Sequence, residues 1–306
     1  MDLTRRDMLK LTAGAGAAVA LGRLPAFAQA PEILKRPIPS SGELIPVVGL
    51  GTARTFNVGD SEEERAPLRE VLEAFVEMGG TLLDTAYGYG NSEAVSGDLA
   101  KQLGVVDSLF MATKVAAQEK QQGIEQMETS MRRLNRSVID LMQVHNLRGW
   151  QIQLATLREW KAAGRIRYIG ITTSRNRQHD DFARVMESEE LDFVQLNYSL
   201  GSRQAEERLL PLAADRGMAV LVNVPFMGGR LFQAVQGVQL PEWAAEFDAQ
   251  SWGQFFLKFI ISHPAVTCPI PATAKVHHLR DNMGAAYGRL PDEAMRRRMV
   301  EFFEAL

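Results

Sequence analysis

Three titratable residues, Asp84, Lys114 and His145, stand at the ends of three successive apolar segments of the sequence. Each has an ordinary structural explanation on its own: a carboxylate that caps a helix, a surface ammonium and an imidazole packed in the core. The occurrence of all three at the ends of consecutive segments is harder to explain in that way. If the segments are parallel strands, their carboxyl ends lie together, and enzymes built on such strands carry their catalytic groups there. We therefore expect a functional site in which these charged and proton-exchanging groups lie close together.

The apolar segments themselves have the character of strands. Eight of them are short, nearly continuous apolar runs, which is the pattern of parallel strands buried on both faces. They cover residues 47–51, 81–84, 109–113, 139–144, 168–171, 193–196, 219–224 and 266–270. The three titratable residues therefore close or follow the second, third and fourth of these runs.

Segments with helical periodicity lie between the apolar runs. In the first of them, apolar residues recur at i, i+3, i+4 and i+7 and share one helical face: Leu68, Val71, Leu72 and Phe75. Other predicted helices include 124–134, 154–163, 252–262, one that begins near 276 and a closing helix over 291–306. Glycines suited to helix C-caps stand just before the next strand, at Gly79-Gly80, Gly164 and Gly217.

Eight strand–helix units in one chain, without a linker rich in Pro, Gly or Ser, predict a (β/α)8 TIM barrel. A doubly wound sheet is the alternative, and it is disfavoured because no Gly-x-Gly-x-x-Gly motif follows the first strand. The length of 306 residues fits one barrel, and the net charge of -3 argues against a nucleic-acid-binding protein. The one cysteine, Cys268, excludes an intramolecular disulfide and a Cys-x-x-Cys pair.

The first 28 residues have the features of an export signal. Paired arginines at Arg5-Arg6 precede an apolar run over residues 11–21, and small residues flank Phe27 up to Ala28, as at a signal-peptidase site. The run is shorter than the roughly 20 apolar residues that a membrane span requires. The segment resembles a twin-arginine (Tat) signal, which directs folded proteins for export.

The Tat resemblance divides the chain into two parts. It implies that residues 1–28 are a signal peptide cleaved near Ala28 and that residues 29–306 are the barrel domain. It also implies contact with the Tat export machinery and a periplasmic location. Removal of the signal leaves 30 basic and 35 acidic residues, a net charge of -5.

Residues 84–93 read Asp-Thr-Ala-Tyr-Gly-Tyr-Gly-Asn-Ser-Glu, which resembles the DTAxxYGxSE signature of the aldo-keto reductases. Lys114 and His145 match the family's lysine and histidine at the ends of the third and fourth strands. Segments 45–52 and 270–273 also fit, so the resemblance covers nearly all of the chain after the signal. It implies an NAD(P)H-dependent carbonyl reductase with the catalytic tetrad Asp84, Tyr89, Lys114 and His145.

The chemistry of carbonyl reduction agrees with these implied roles. Hydride addition leaves negative charge on the carbonyl oxygen, so a proton donor must lie beside it. A tyrosine hydroxyl is a weak acid unless a nearby cation stabilises its phenolate. The resemblance implies that Tyr89 donates the proton and that Lys114, held by Asp84, supplies the cation. His145 would orient the substrate oxygen, and Tyr87 would pack or line the pocket.

The resemblance also implies a nicotinamide site, and the sequence departs from the family there at two places. Thr172-Thr173 stands where the family has Ser-Asn after the fifth strand, although a threonine hydroxyl can still form a hydrogen bond. Asn223 stands where the family has an aromatic residue that stacks on the nicotinamide. Gln195 matches the family's glutamine, and Gly51 and Thr52 complete the expected contacts.

Phosphate contacts are expected from two further segments. Pro225, Gly228 and Gly229 match the family's pyrophosphate loop, where glycines let backbone N–H groups approach phosphate. Near the last strand, four residues are expected to contact the nucleotide: Thr273, Lys275, His278 and Asn282. Basic residues there favour NADP(H), with NAD(H) possible. No metal site is expected, because His277-His278 has no third ligand nearby in the sequence.

The sequence leaves three functions open. The first is an exported reductase of small-molecule aldehydes or ketones. The second is a periplasmic barrel-fold binding protein with weak or lost activity, an idea motivated by Thr172-Thr173 and Asn223 but opposed by the complete tetrad. The third is a non-redox lyase or isomerase that uses Tyr89 as an acid. We expect a monomer, the family default, with a short loop over 146–151 and a short C-terminal end that leave the site open to broad or bulky substrates.

Overall fold

Eight parallel strands, separated along the chain by helices, frame this computed structural model, which describes residues 32–306. The predictions for the signal segment and for its cleavage near Ala28 lie outside these residues. The described residues contain a hairpin of β1 (Lys35–Pro37) and β2 (Leu44–Pro46), followed by the parallel strands. These are β3 (Leu50–Gly51), β4 (Leu82–Asp84), β5 (Phe110–Val115), β6 (Ile139–Val144), β7 (Ile166–Thr172), β8 (Phe193–Asn197), β9 (Ala219–Asn223) and β10 (Cys268–Pro269).

The parallel strands pair in chain order from β3 to β10, and the two ends of the sheet are joined. Gly49 N–H donates to the Pro269 carbonyl (2.9 Å) and Gly51 N–H to the Pro271 carbonyl (3.0 Å). The predicted (β/α)8 barrel is therefore confirmed. Strands β3 and β10 are shorter than predicted, because Pro269 and Pro271 have no N–H to continue the ladder.

Within residues 32–306, ten α-helices follow the strands, and those that the sequence predicted end within about two residues of the expected bounds. They are α1 (Glu62–Glu77), α2 (Ser92–Gln102), α3 (Lys120–Arg133), α4 (Trp150–Ala162), α5 (His179–Ser188), α6 (Leu209–Asp215), α7 (Arg230–Ala234), α8 (Trp252–Ile261), α9 (Val276–Gly284) and α10 (Glu293–Glu304). Helix α1 begins earlier than its apolar face, because the Ser61 side chain accepts the Glu64 N–H and caps it. Gly79, Gly164 and Gly217 have positive φ at the predicted C-caps.

The β1–β2 hairpin, which the sequence patterns did not predict, covers the amino-terminal end of the barrel. Ile38 and Ile45 are buried with inward-facing residues from the starts of the strands, among them Leu82 and Phe110. A hydrogen bond also holds the hairpin to the barrel, since the Tyr168 hydroxyl donates to Ser41 Oγ (2.7 Å). With this end filled, the carboxyl ends of the strands are the open end of the barrel, where a site is expected.

Candidate active site

A cleft of about 1410 Å³ opens at the carboxyl ends of the barrel strands. It is lined by most of the residues singled out from the sequence: Gly51, Thr52, Asp84, Tyr89, His145, Thr172, Gln195, Asn223, Pro225, Gly228, Gly229, Thr273, His278 and Asn282. Three others, Lys114, Thr173 and Lys275, do not line it. The fold thus brings residues from seven different barrel strands or their following loops to one cavity.

Asp84 and Lys114 form a buried ion pair beneath this cleft. Lys114 Nζ lies 2.6 Å from Asp84 Oδ2 and donates to the Thr85 carbonyl (2.7 Å), with only 1% of the lysine side chain exposed. Gln195 Nε2 donates to the other carboxylate oxygen, Oδ1, at 2.8 Å. Burial is the largest single influence and lowers the pKa of Lys114, but the charge and hydrogen bond of Asp84, together with Tyr89 and Glu93, outweigh it, so the pKa lies above its ordinary value. The lysine is therefore a fixed, buried cation.

Tyr89 lies between this cation and His145. Lys114 Nζ is 5.2 Å from the centre of the Tyr89 ring, and the Tyr89 and His145 rings meet edge to face with centroids 5.8 Å apart. Burial, together with the positive charges of Lys114 and Arg175, lowers the pKa of His145 to about 4. His145 is therefore neutral near pH 7 and can donate one hydrogen bond from its ring.

A tight turn between β4 and α2 sets the position of Tyr89. The Tyr89 N–H donates to the Ala86 carbonyl (3.0 Å), and Gly90 follows with φ +62°. A Cβ at Gly90 would lie 2.2 Å from Asn57 Oδ1, which accepts the Asn91 N–H at 2.9 Å. The turn therefore requires glycine at this position, for both its conformation and its space.

Glu93 supports the same region from behind the barrel wall. Its side chain is fully buried; it accepts a hydrogen bond from Thr113 Oγ1 (2.6 Å) and pairs with Arg133 (3.3 Å). Thr113 precedes Lys114 on β5, so this contact fixes the start of α2 against the strand that carries the lysine. The sequence motif contains Glu93, but only the structure shows what it contacts.

Thr172, the last residue of β7, and Thr173, which follows it, differ in what their hydroxyls can do. Thr172 Oγ1 accepts the Asn146 N–H (3.1 Å), and its residue lines the cleft. Thr173 is fully buried, and its Oγ1 donates to Gln178 Oε1 (2.8 Å) and accepts the Arg175 N–H (3.1 Å). The Thr173 hydroxyl is thus already satisfied within the protein.

The side-chain amide of Asn223, at the end of β9, forms only part of its possible hydrogen bonds. Its Nδ2 donates to the Thr173 carbonyl (2.9 Å), whereas its buried Oδ1 has no hydrogen-bond partner among residues 32–306. Beyond it, Gly228 (φ +66°) and Gly229 (φ +94°) have the left-handed backbone that favours glycine. Nothing lies within 4 Å of a Cβ built at either glycine, so their backbone faces open space.

The far end of the cleft is formed by the starts of α8 and α9. Thr273 Oγ1 accepts the Lys275 N–H (3.0 Å). Asp281 accepts from Ser251 Oγ (2.8 Å) and Gln254 Nε2 (3.0 Å) and so joins α9 to α8. Burial and the charges of its neighbours lower the pKa of His278, and the lasting cations of this segment are Lys275 and Arg280, which pairs with Glu77 at 3.5 Å.

A comparison with known protein families identifies the family of this chain. Residues 47–298 match the model of the aldo/keto reductase family. The chain belongs to the aldo/keto reductase family. This confirms the resemblance read from residues 84–93, Lys114 and His145. Residues 2–22 match the twin-arginine translocation (TAT) pathway signal sequence, so this aldo/keto reductase carries an export signal.

Among curated relatives of this aldo/keto reductase is the aldo-keto reductase YhdN of Bacillus subtilis, 33% identical over 57% of this chain and 56% of that relative. The match therefore spans little more than half of that protein's length. The methylglyoxal reductase YeaE of Escherichia coli is 29% identical over 79% of this chain and 86% of its own. The Escherichia coli NADH-specific methylglyoxal reductase is 32% identical over 53% and 56%.

Solved structures support the fold of this aldo/keto reductase. An aldo/keto reductase from Klebsiella pneumoniae in complex with NADP and acetate superimposes with a TM-score of 0.74 at 22% identity, covering 89% of this chain and 96% of that one.

Among residues 32–306, we find no helix long and apolar enough to cross a membrane. The same part of the chain has no group of three His, Cys, Asp or Glu side chains placed to hold a metal ion.

Proposed function

We propose that this chain is an NAD(P)H-dependent reductase of aldehydes or ketones in which Tyr89 protonates the carbonyl oxygen. The observation that supports this most strongly is the buried Lys114–Asp84 pair, with its ammonium 5.2 Å from the ring of Tyr89. A binding protein has no use for a buried cation beside a tyrosine in its cleft. A reductase needs that cation, because it stabilises the phenolate left when the proton is given away.

Each residue of the site has a separate role in the proposed reaction. The nicotinamide, when bound, supplies a hydride to the carbonyl carbon, and negative charge develops on the oxygen. Tyr89 gives its proton to that oxygen, and Lys114 stabilises the resulting phenolate. Asp84 keeps Lys114 in place and charged. Neutral His145 donates a hydrogen bond to the same oxygen and orients it.

The cleft has features that fit a dinucleotide. The Oδ1 of Asn223 has no hydrogen-bond partner among residues 32–306, and the open space beside Gly228 and Gly229 lets a phosphate approach their backbone. We assign the nicotinamide end to Thr172, Gln195 and Asn223, with Thr173 acting through the backbone carbonyl that Asn223 binds. The remaining nucleotide contacts are assigned to Gly51, Thr52, Pro225, Gly228, Gly229, Thr273, Lys275, His278 and Asn282.

We favour NADP(H) as the cofactor, because the Klebsiella pneumoniae structures are complexes with NADP and with NADPH. NAD(H) is the second candidate, because one relative is named as NADH-specific and the pKa of His278 is lowered, which weakens its use as a cation for a 2′-phosphate. Titrating the purified protein with each nucleotide tests this, since Trp252 lines the cleft and its fluorescence will report binding. A response to neither nucleotide would favour the binding-protein alternative.

The low pKa of His145 leads to a pH prediction. A folded pKa of about 4, below the ordinary 6.5, means that the ring is neutral and its role intact at every pH above about 5. We therefore expect kcat/KM for an aldehyde to show no inflection near pH 6.5. The His145 ring protons should likewise titrate near pH 4 by NMR. An activity that falls between pH 7 and pH 6, together with His145 protonation, would contradict a neutral hydrogen-bond donor.

We also propose that residues 1–28 are removed near Ala28 during export to the periplasm and that residues 29–306 are the mature enzyme. The Tat match over residues 2–22 supports export. Changing Arg5 and Arg6 to lysine should leave the precursor in the cytoplasm, while the wild-type protein is recovered from the periplasm with an N-terminus near Gln29. Equal export of the two proteins, or an intact N-terminus in the periplasm, would contradict this proposal.

A further inference from the structure

One wall of the cleft lies next to Tyr89 and His145 and is not used by the proposed nucleotide contacts. It is built by the loops after β3, β4, β6 and β7. Its residues are small or uncharged and polar, except for the charged Arg54: Ala53, Arg54, Asn57, Gly88, Gly90, Asn146 and Ser174. Apart from Tyr89 and His145, the aromatic residues of the cleft come from the segments after β9, among them Phe226, Phe232 and Trp252. A substrate held against this wall meets polar groups and a guanidinium rather than an apolar surface.

Arg54 has two unusual properties. Its φ is +65°, a left-handed conformation that a non-glycine residue adopts at a cost and that is often found at functional sites. Its exposed side chain forms no hydrogen bond or ion pair with any residue in the described range 32–306, in which most arginines are paired. A strained backbone thus holds at the cleft a guanidinium that no residue of 32–306 engages.

The neighbouring loops add charge of the same sign. Arg148, in the loop after β6, and Arg175, in the loop after β7, are exposed and have no ion-pair partner within residues 32–306. Neither loop (145–149 or 173–178) contains Asp or Glu. Arg175 lies near enough to His145 for its charge to act on that ring. These two loops, which flank the cleft through Asn146 and Ser174, therefore carry positive charge on a chain of net charge -3, and such charge favours the approach of anions.

We propose that the substrates of this enzyme are carbonyl compounds that carry a carboxylate, and that Arg54 is the residue that binds it. The planar guanidinium can hold a carboxylate through two parallel hydrogen bonds and so place the carbonyl end toward Tyr89 and His145. Arg148 and Arg175 attract the substrate from a distance without contacting it. The proposal rests on the reductase function proposed above and adds the class of substrate.

A matched pair of aldehydes tests this assignment: 4-carboxybenzaldehyde and its neutral methyl ester, methyl 4-formylbenzoate. With NADPH saturating, the wild-type protein should reduce the carboxylate with the larger kcat/KM, and added salt should reduce that advantage. Arg54→Gln should lower kcat/KM for the carboxylate by about 10- to 100-fold, the size expected for losing a charge-assisted contact, and that for the ester by only a few-fold. Arg297→Gln, which removes an exposed arginine of α10 that pairs with Glu293, should leave the ratio of the two unchanged.

The outcomes separate this inference from the proposed function. An unchanged carboxylate-to-ester ratio in Arg54→Gln overturns the assignment. Equal losses for both aldehydes together with weaker NADPH binding, measured by Trp252 fluorescence, also overturn it, because Arg54 would then bind the nucleotide. Failure of the wild-type protein to reduce either aldehyde, or any other carbonyl compound, would instead count against the reductase function.

Discussion

The Tyr89→Phe variant is expected to lose aldehyde reduction by about 10²- to 10⁴-fold, the range that a positioned general acid contributes. Phenylalanine keeps the ring that lies against His145 and Lys114 but removes the proton that the product oxygen must receive. The hydroxyl is not among the assigned nucleotide contacts, so the dissociation constant for NADPH should stay within about threefold of the wild-type value. This is a change of less than about 1 kcal/mol in binding free energy, since 1.4 kcal/mol corresponds to tenfold. Steady-state kinetics and a fluorescence titration measure the two quantities.

Tyr87 provides the matched control for this variant. It lies two residues away in the same turn but packs against Arg133, whose guanidinium is 5.1 Å from its ring, and it does not line the cleft. Tyr87→Phe should therefore reduce aldehydes at nearly the wild-type rate. If both variants kept their activity, Tyr89 would not be the proton donor. If both lost it, the turn rather than the hydroxyl would be responsible.

The Lys114→Met variant is expected to lose both activity and stability. Removing the ammonium leaves the Asp84 carboxylate buried without its ionic partner, and breaking a buried pair in this way costs about 3–5 kcal/mol. Activity should fall by at least about 10²-fold in the fraction that is still folded, because no cation remains to stabilise the Tyr89 phenolate. Denaturant unfolding and kinetics on the same preparation measure these two effects.

Two further variants separate the loss of stability from the loss of chemistry. Adding Asp84→Asn to Lys114→Met removes the unpaired charge, so the double variant should recover part of the stability and none of the activity. Lys258 is a second fully buried lysine, which donates to the carbonyls of Tyr287 (2.6 Å) and Arg289 (2.8 Å) away from the cleft. Lys258→Met should lower stability but keep the turnover rate per folded molecule. Activity in Lys114→Met equal to that in Lys258→Met would contradict the assigned role of Lys114.

The barrel and the meeting of Asp84, Lys114 and His145 could be predicted from the sequence because both follow from the order of the strands, whereas Tyr89 was assigned through the family resemblance of residues 84–93. Strands buried on both faces read as apolar runs, and in a parallel barrel the residue after each run must lie at one end. Asp84, Lys114 and His145 could thus be placed together without knowing any distance. The β1–β2 hairpin was missed because its two strands have only three residues each, both ending in proline, and so short a segment shows no alternation of apolar and polar residues.

Features that depend on side-chain direction could not be read in this way. Thr172 and Thr173 are adjacent in sequence, yet one lines the cleft and the other bonds inward to Gln178, because successive side chains of a strand face opposite ways. Arg54 has no motif to mark it, and only its unpaired position and left-handed φ distinguish it. Positions fixed by loops rather than by strand order need the structure.

The most direct test of the central claim follows the transferred hydrogen. Purified mature protein is given an aldehyde and NADPH that carries deuterium at the transferable position of the nicotinamide, and the product is examined by mass spectrometry. We expect an alcohol with one deuterium on the former carbonyl carbon from the wild-type protein and from Tyr87→Phe, and almost none from Tyr89→Phe. Alcohol without deuterium, or equal deuterium transfer by Tyr89→Phe, would contradict hydride reduction assisted by Tyr89.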